Sequence, residues 1–274
     1  MSSFSSDWLA LREPADHKAR SARLASIIAD VLPSANDLAV LDLGAGTGSN
    51  FRYLSRRLER HRRQHWLLVD HDAALLALAE HELGNLDSLY KTETKEFDLA
   101  SIGNGAATPL FAGRALVTAS ALLDLVSENS LQAITDLCAA NRAAVLFALN
   151  YDGEIACTPQ HADDEWVRDQ VNAHQLRDKG LGGVALGPQA TTSVEQTFTH
   201  AGFVVRRDRS DWILGAESDA LQRALIAGWA EAATELAPSS AARIAGWQRV
   251  RLAHLSARAS TIRVGHEDVA AWLV

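Results

Sequence analysis

Between Leu38 and Asn50 the chain reads Leu-Ala-Val-Leu-Asp-Leu-Gly-Ala-Gly-Thr-Gly-Ser-Asn, and an apolar strand running into three closely spaced glycines leaves few architectures open. Glycine lacks Cβ and adopts positive φ freely, so a turn built on Gly44, Gly46 and Gly48 lets the backbone lie against a ligand. The helix that follows opens with unpaired N–H groups. Such a site suits a nucleotide-like cofactor. A dinucleotide loop of the form Gly-x-Gly-x-x-Gly wants its third glycine at position 49, and that residue is Ser49.

Downstream residues extend the pattern. His65-Trp66-Leu67-Leu68-Val69-Asp70 reads as a short buried strand ending in a carboxylate, and a carboxylate can accept two hydrogen bonds from a vicinal diol such as a ribose. Residues 86–98 carry a weaker strand pattern that ends at Glu96-Phe97-Asp98-Leu99. A fourth strand, Ala115 to Ser120, leads into Ala121-Leu122-Leu123-Asp124, read as a helix start that Ser120 can cap. Leu122 and Leu123 belong to the core on this reading, and Asp124 is either a site residue or a helix-dipole partner. Strand five, Ala143 to Asn150, ends in Tyr151-Asp152-Gly153. Strands alternating with helical stretches predict a doubly wound α/β sheet, whose ligands bind beyond the carboxyl ends of the strands.

The run Asp42-Leu43-Gly44-Ala45-Gly46-Thr47-Gly48 resembles the first motif of class I S-adenosylmethionine-dependent methyltransferases, in which an acid two residues before the first glycine precedes the cofactor loop. The resemblance covers residues 36–215. It implies a Rossmann-like, seven-stranded sheet with an antiparallel last strand, and S-adenosylmethionine as cofactor with S-adenosylhomocysteine as product. Cofactor-binding candidates are then Asp42, Gly44, Ala45, Gly46, Gly48 and Asn50 at the loop. Asp70 and His71 follow at the ribose, Asp98 and Leu99 at the adenine, and Ser120 near the methyl group. Residues 188–201 read as a helix, and the apolar runs Gly202–Arg207 and Asp211–Gly215 as a closing hairpin.

Three segments fall outside that core. Residues 1–35 read as a helical lid over the cofactor, and the resemblance suggests Arg20 or Arg12 as the bidentate partner of the methionine carboxylate. A helical insertion at about 161–187 follows strand five, and within it Trp166, Asp169 or Gln170, and His174 share a face at spacings of three and four. Its closing glycines, Gly180, Gly182 and Gly183, suit a hinge. Residues 216–274 read as a helical extension whose tryptophans recur at helical spacing, which favours core; a homodimer through these helices is the alternative.

A chain of 274 residues can bury one substantial core. Its two cysteines make neither a disulfide framework nor a zinc site. The charged first thirty residues and the lack of a bilayer-length apolar run point to a cytoplasmic protein with no membrane span. A net charge of −8 disfavours nucleic acid as a substrate, and the arginines at 52, 56, 57, 60, 62 and 63 read as a solvated outer helix face. The expected activity is methyl transfer to a small-molecule acceptor, with Tyr151 and His174 as candidates to orient or deprotonate it. Two rivals stand beside this reading: an NAD(P)-dependent oxidoreductase on a similar fold, and a non-catalytic S-adenosylmethionine-binding protein.

Overall fold

The computed structural model of the chain describes residues 4–33, 37–58, 63–84 and 89–274. Arg60 and Arg62, and the first part of the weak third-strand pattern, lie outside them. The strands are β1 (Asp37–Leu43), β2 (Arg63–Asp70), β3 (Tyr90–Glu96), β4 (Leu116–Ser120), β5 (Ala144–Thr158), β6 (Val204–Arg209), β7 (Trp212–Leu214) and β8 (Thr261–Trp272). The α-helices are α1 (Ser6–Ala19), α2 (Ala22–Val31), α3 (Ser49–Leu54), α4 (Ala73–Leu83), α5 (Thr108–Phe111), α6 (Glu128–Asn141), α7 (Asp164–Gln175), α8 (Ala190–His200), α9 (Asp219–Leu236) and α10 (Ala241–Ser256).

Hydrogen bonds join the strands in the order β3-β2-β1-β4-β5-β8-β6. The first five are mutually parallel, and β8 is antiparallel to both of its neighbours. This is the expected seven-stranded doubly wound sheet with an antiparallel final strand, plus the short β7 alongside β8. Period-two alternation divides its side chains between two cores. Leu41, Leu43, Val117 and Val145 enter a cluster with residues of α6 and α8, whereas Leu38, Val40, Leu116 and Leu146 face α2, α3 and α4.

Three expectations need correction. The two runs around residues 204–214 form no hairpin, because both pair with β8. Val204–Arg209 lies along its C-terminal half and Trp212–Leu214 along its N-terminal half. Between them the Ser210 amide donates to the His266 carbonyl at 2.9 Å, and the His266 amide donates to Asp211 Oδ1 at 3.2 Å. The charged break therefore bends one edge without reversing the chain. Residues 216–274 are not wholly helical, since the β-branched Ile262, Val264 and Val269 lie in β8. Nor does a helix begin at residue 121. Ala121 has φ +53°, which a helix excludes, and α6 starts at Glu128 with Ser127 as its cap.

The remaining helices build a third core on the far part of β5, β7 and β8, with Trp229, Ile244, Trp247 and Leu255 turned inward. The stripes considered for a homodimer are therefore engaged within the chain, and no large hydrophobic residue of α9 or α10 is among the exposed ones. Among the described residues no helix is long and apolar enough to cross a membrane.

Candidate functional site

The glycine loop leaves β1 through three residues of positive φ, +65° at Gly44, +52° at Gly46 and +83° at Gly48. Its shape is fixed by neighbours. The Ala45 amide donates to the Val69 carbonyl at 2.9 Å, and the Gly46 amide to Asp70 Oδ2 at 2.8 Å. Asp70 Oδ1 accepts from the Asp72 amide at 3.0 Å and lies 3.1 Å from His71 Nδ1. The carboxylate at the end of β2 thus ties the loop to the start of α4.

Space at this loop is limited on purpose-built sides. A Cβ at Gly46 would stand 3.0 Å from Leu9 Cδ1 of α1, and one at Gly44 would stand 3.1 Å from Leu122 Cδ1. Between loop, lid and β4 lies a cavity of about 130 Å³. Gly44, Ala45, Gly46, Asn50, Asp70 and His71 line it, together with Leu99 and Ser120. These are eight of the twelve residues the sequence nominated for the cofactor.

The other four sit elsewhere. Gly48 shapes the loop by donating its amide to the Ala45 carbonyl at 2.9 Å. Asp98 is exposed and caps the following turn through the Ala100 amide at 2.9 Å. Asp42 and Arg20 lie beneath the loop, joined through Asn50: Asn50 Nδ2 donates to Asp42 Oδ1 at 2.6 Å, and Arg20 Nη1 donates to Asn50 Oδ1 at 2.5 Å. Burial raises the Asp42 carboxyl to about 7, and its Oδ2 has no protein partner. Arg20 also covers the Tyr53 ring at 4.1 Å. Its Nε and Nη2 are buried without a protein partner. The lid arginine that does reach the cavity is Arg12, which holds Asp16 through Nε at 2.9 Å and Nη2 at 3.2 Å.

The lid is anchored by a residue assigned from sequence to a solvated face. Arg52 donates Nε to Glu13 Oε1 at 2.7 Å and Nη1 to the Thr47 carbonyl at 2.7 Å, and pairs with Glu82 as well. Burial works to raise the Glu13 carboxyl, but the Arg52 guanidinium, His17 and Ser49 together hold the group below its usual value.

A second cavity of about 420 Å³ adjoins the first. Phe4, Arg12, Ala121, Leu125 and Lys179 line both. Deeper walls come from Trp8, Trp212 and Trp229, with Tyr151, His174 and His266 among the polar contributors. Two of its wall residues, Ala121 and Leu149, hold positive φ of 53° and 56°. Such conformations cost of order 1–3 kcal/mol in a residue other than glycine and cluster at sites.

Both candidates for acid–base work reach this cavity with their polar atoms engaged. Tyr151 donates its hydroxyl to Asn172 Oδ1 at 2.7 Å, and burial holds the phenol well above its usual range. His174 Nδ1 lies 3.2 Å from Lys179 Nζ and Nε2 lies 3.2 Å from Glu235 Oε2. Because the ammonium can only donate, Nδ1 accepts and Nε2 carries the proton. Burial, then the Lys179 charge, lowers the His174 pKa. The face of α7 at the cavity holds Val171, His174 and Gln175, whereas Trp166 lies under Arg243 at 4.2 Å. The expected Trp166–His174 face is therefore divided.

Sequence reasoning left Asp124 open and passed over His266, Trp8 and Trp212. Asp124 is only 8% exposed, with Oδ1 buried and unpartnered. Burial raises its carboxyl to about 6 and lowers the His266 imidazole to about 3. Trp229, read as core, is both buried and part of the cavity wall. The missing signal was β8, without which His266 has no place beside Tyr151.

No protein-family model matches the sequence, and no curated protein matches it. Among solved structures, the cyclopropane synthase MmaA2 of Mycobacterium tuberculosis aligns with 97% of this chain and 94% of its own, at 12% identity and a TM-score of 0.51. The YcgJ protein of Bacillus subtilis aligns with 93% of this chain and all of its own (100%), at 13% identity and a TM-score of 0.48. Geranyl diphosphate C-methyltransferase of Streptomyces coelicolor covers 91% of this chain and 79% of its own, at 13% identity and a TM-score of 0.46. The likeness to MmaA2 establishes a shared fold.

Proposed function

We propose that the protein is an S-adenosylmethionine-dependent methyltransferase acting on a small-molecule acceptor. The observation that carries this reading is the continuity of the two cavities. A glycine loop and the Asp70 carboxylate form one chamber, which meets a larger aromatic chamber at Arg12, Lys179 and Leu125. The loop fits a nucleoside cofactor, since a side chain at Gly44 or Gly46 would occupy the cradle.

The sulfonium cofactor would supply an already activated methyl group, so that positioning accounts for most of the acceleration required of the protein. Asp70 would accept from the ribose hydroxyls with the lone pairs its two amide partners leave over. Leu75 and Leu99 give the adenine apolar contact, and Arg12, held by Asp16, is the lid cation available to a carboxylate. Leu9 of the lid packs over the loop at Gly46.

Calorimetric titration tests the assignment. S-adenosylhomocysteine should bind saturably and NAD should not, because the dinucleotide loop lacks its third glycine. Asp70→Ala should weaken that binding by about 1–3 kcal/mol. Saturable NAD binding without a response to S-adenosylhomocysteine would overturn the reading.

A further inference from the structure

The wall of the larger cavity presents polar atoms that the protein does not use. Asp124 Oδ1 and Trp8 Nε1 are buried and unpartnered. His266 Nδ1 lies 3.1 Å from the Val264 carbonyl, which can only accept, so the imidazole carries its proton there. Its Nε2 is left as a bare acceptor with no protein partner among the described residues. Buried polar atoms in folded proteins are nearly always bonded. An orphaned buried acceptor, Asp124 Oδ1, in an aromatic chamber therefore asks for a ligand that brings a donor.

We propose that, granted the methyltransferase reading above, this cavity takes a neutral aromatic alcohol whose hydroxyl donates to Asp124, and that Asp124 is the general base of the transfer.

The charges at the junction favour an acceptor oxygen that turns negative during the reaction. Arg12 is held in a bidentate contact with Asp16. Lys179 has no ion pair among the described residues, and its ammonium contacts the His174 ring. A developing negative charge on the acceptor oxygen is stabilised by that ammonium. Trp8, Trp212 and Trp229 offer flat apolar walls, and about 420 Å³ accommodates a two-ring molecule.

The step balances without a further reactant. The acceptor O–H bond breaks with its proton passing to Asp124 Oδ1, and the oxygen forms a bond to the methyl carbon. The carbon–sulfur bond breaks with its electron pair remaining on sulfur, so the sulfonium becomes a thioether. Burial leaves Asp124 ionised at neutral pH yet a better proton acceptor than an ordinary carboxylate, with its pKa near 6.

The test uses protein saturated with S-adenosylhomocysteine and titrated with 2-naphthol or with naphthalene, which lacks the hydroxyl. The naphthol should bind saturably and naphthalene at least about tenfold more weakly, and Asp124→Ala should weaken naphthol binding about tenfold. With S-adenosylmethionine in single turnover, the wild-type rate should fall as pH drops through about 6. Asp124→Asn should cost about 100-fold at pH 7 and recover as pH rises to the naphthol's own ionisation, where no base is needed. Naphthalene binding as tight as the naphthol, no naphthol binding to the loaded protein, or an Asp124→Asn pH profile parallel to wild type would overturn the proposal. Failure of S-adenosylhomocysteine itself to bind strikes instead the reading on which it rests.

Discussion

Asp42 and Asp124 are both buried carboxylates at the carboxyl end of the sheet, and their surroundings separate their roles. Asp42 accepts from Asn50 through Oδ1 and has the Arg20 guanidinium behind it, beneath the glycine loop, with Oδ2 unpartnered. Asp124 faces a cavity, and its Oδ1 has nothing to accept from. Holding a charge there costs stability. Its folded pKa of about 6 lies above the ordinary value of 3.8, so the folded state binds more protons than the unfolded one between those limits. The penalty is absent below pH 3.8 and fully present above pH 6. Asp124→Asn should therefore raise stability by something of the order of 2 kcal/mol at pH 7.5. That gain should shrink steadily as pH falls through the same window. Urea unfolding at several pH values measures it, and a variant less stable than wild type at pH 7.5 would give Asp124 a structural part in the fold. A residue that weakens the fold while facing an open chamber is the pattern of a site held for chemistry.

At the scale of elements, β8 decides more than any other strand. It lies between β5 and β6 and also holds β7, so its twelve residues join two parts of the chain separated by the helical pair α9 and α10. Ending the chain at Ala259 should abolish folding, since it exposes the edges of β5 and β6 and removes Asp268, whose carboxylate accepts from the Leu149 and Ser21 amides at 2.8 Å each. Circular dichroism and soluble yield check this; a folded truncated protein would make β8 an ornament. The elements around the cofactor loop were legible because apolar alternation, glycine spacing and a terminal acid are local signals, as at Leu38–Gly48 and His65–Asp70. Two bulges in β5 and the His266-Glu267-Asp268 run in β8 interrupt such alternation. Their partners lie more than a hundred residues away, as with Tyr151 opposite His266. Arg20 and Arg12 were equivalent on local evidence. Only the packing of α1 and α2 puts one beneath the loop and the other in the cavity.

The whole molecule draws its larger cavity from α1, the loop after β4, β5, α7, β7, α9 and β8, so no division of the chain at residue 215 leaves that cavity complete. Asp16 of the lid accepts from Trp212 Nε1 at 3.0 Å, and Asp164 at the start of α7 accepts from Trp247 Nε1 of α10 at 2.8 Å. The lid is thereby bonded to the sheet at β7, and the insertion to the C-terminal helices. Thermal unfolding should then be a single transition, with tryptophan fluorescence, dominated by residues outside the β1–β4 half, coinciding with far-ultraviolet dichroism. S-adenosylhomocysteine at about 100 times its dissociation constant should add roughly 2.7 kcal/mol, and for a chain of this size that moves the midpoint by about 5–10 °C. Both probes should move together, although the cavity at the glycine loop lies at only one end of the sheet. Two separated transitions, with only one displaced by the ligand, would show instead that the helical C-terminal part unfolds apart from the cofactor chamber, and the continuity of the two cavities would then lose its mechanical basis.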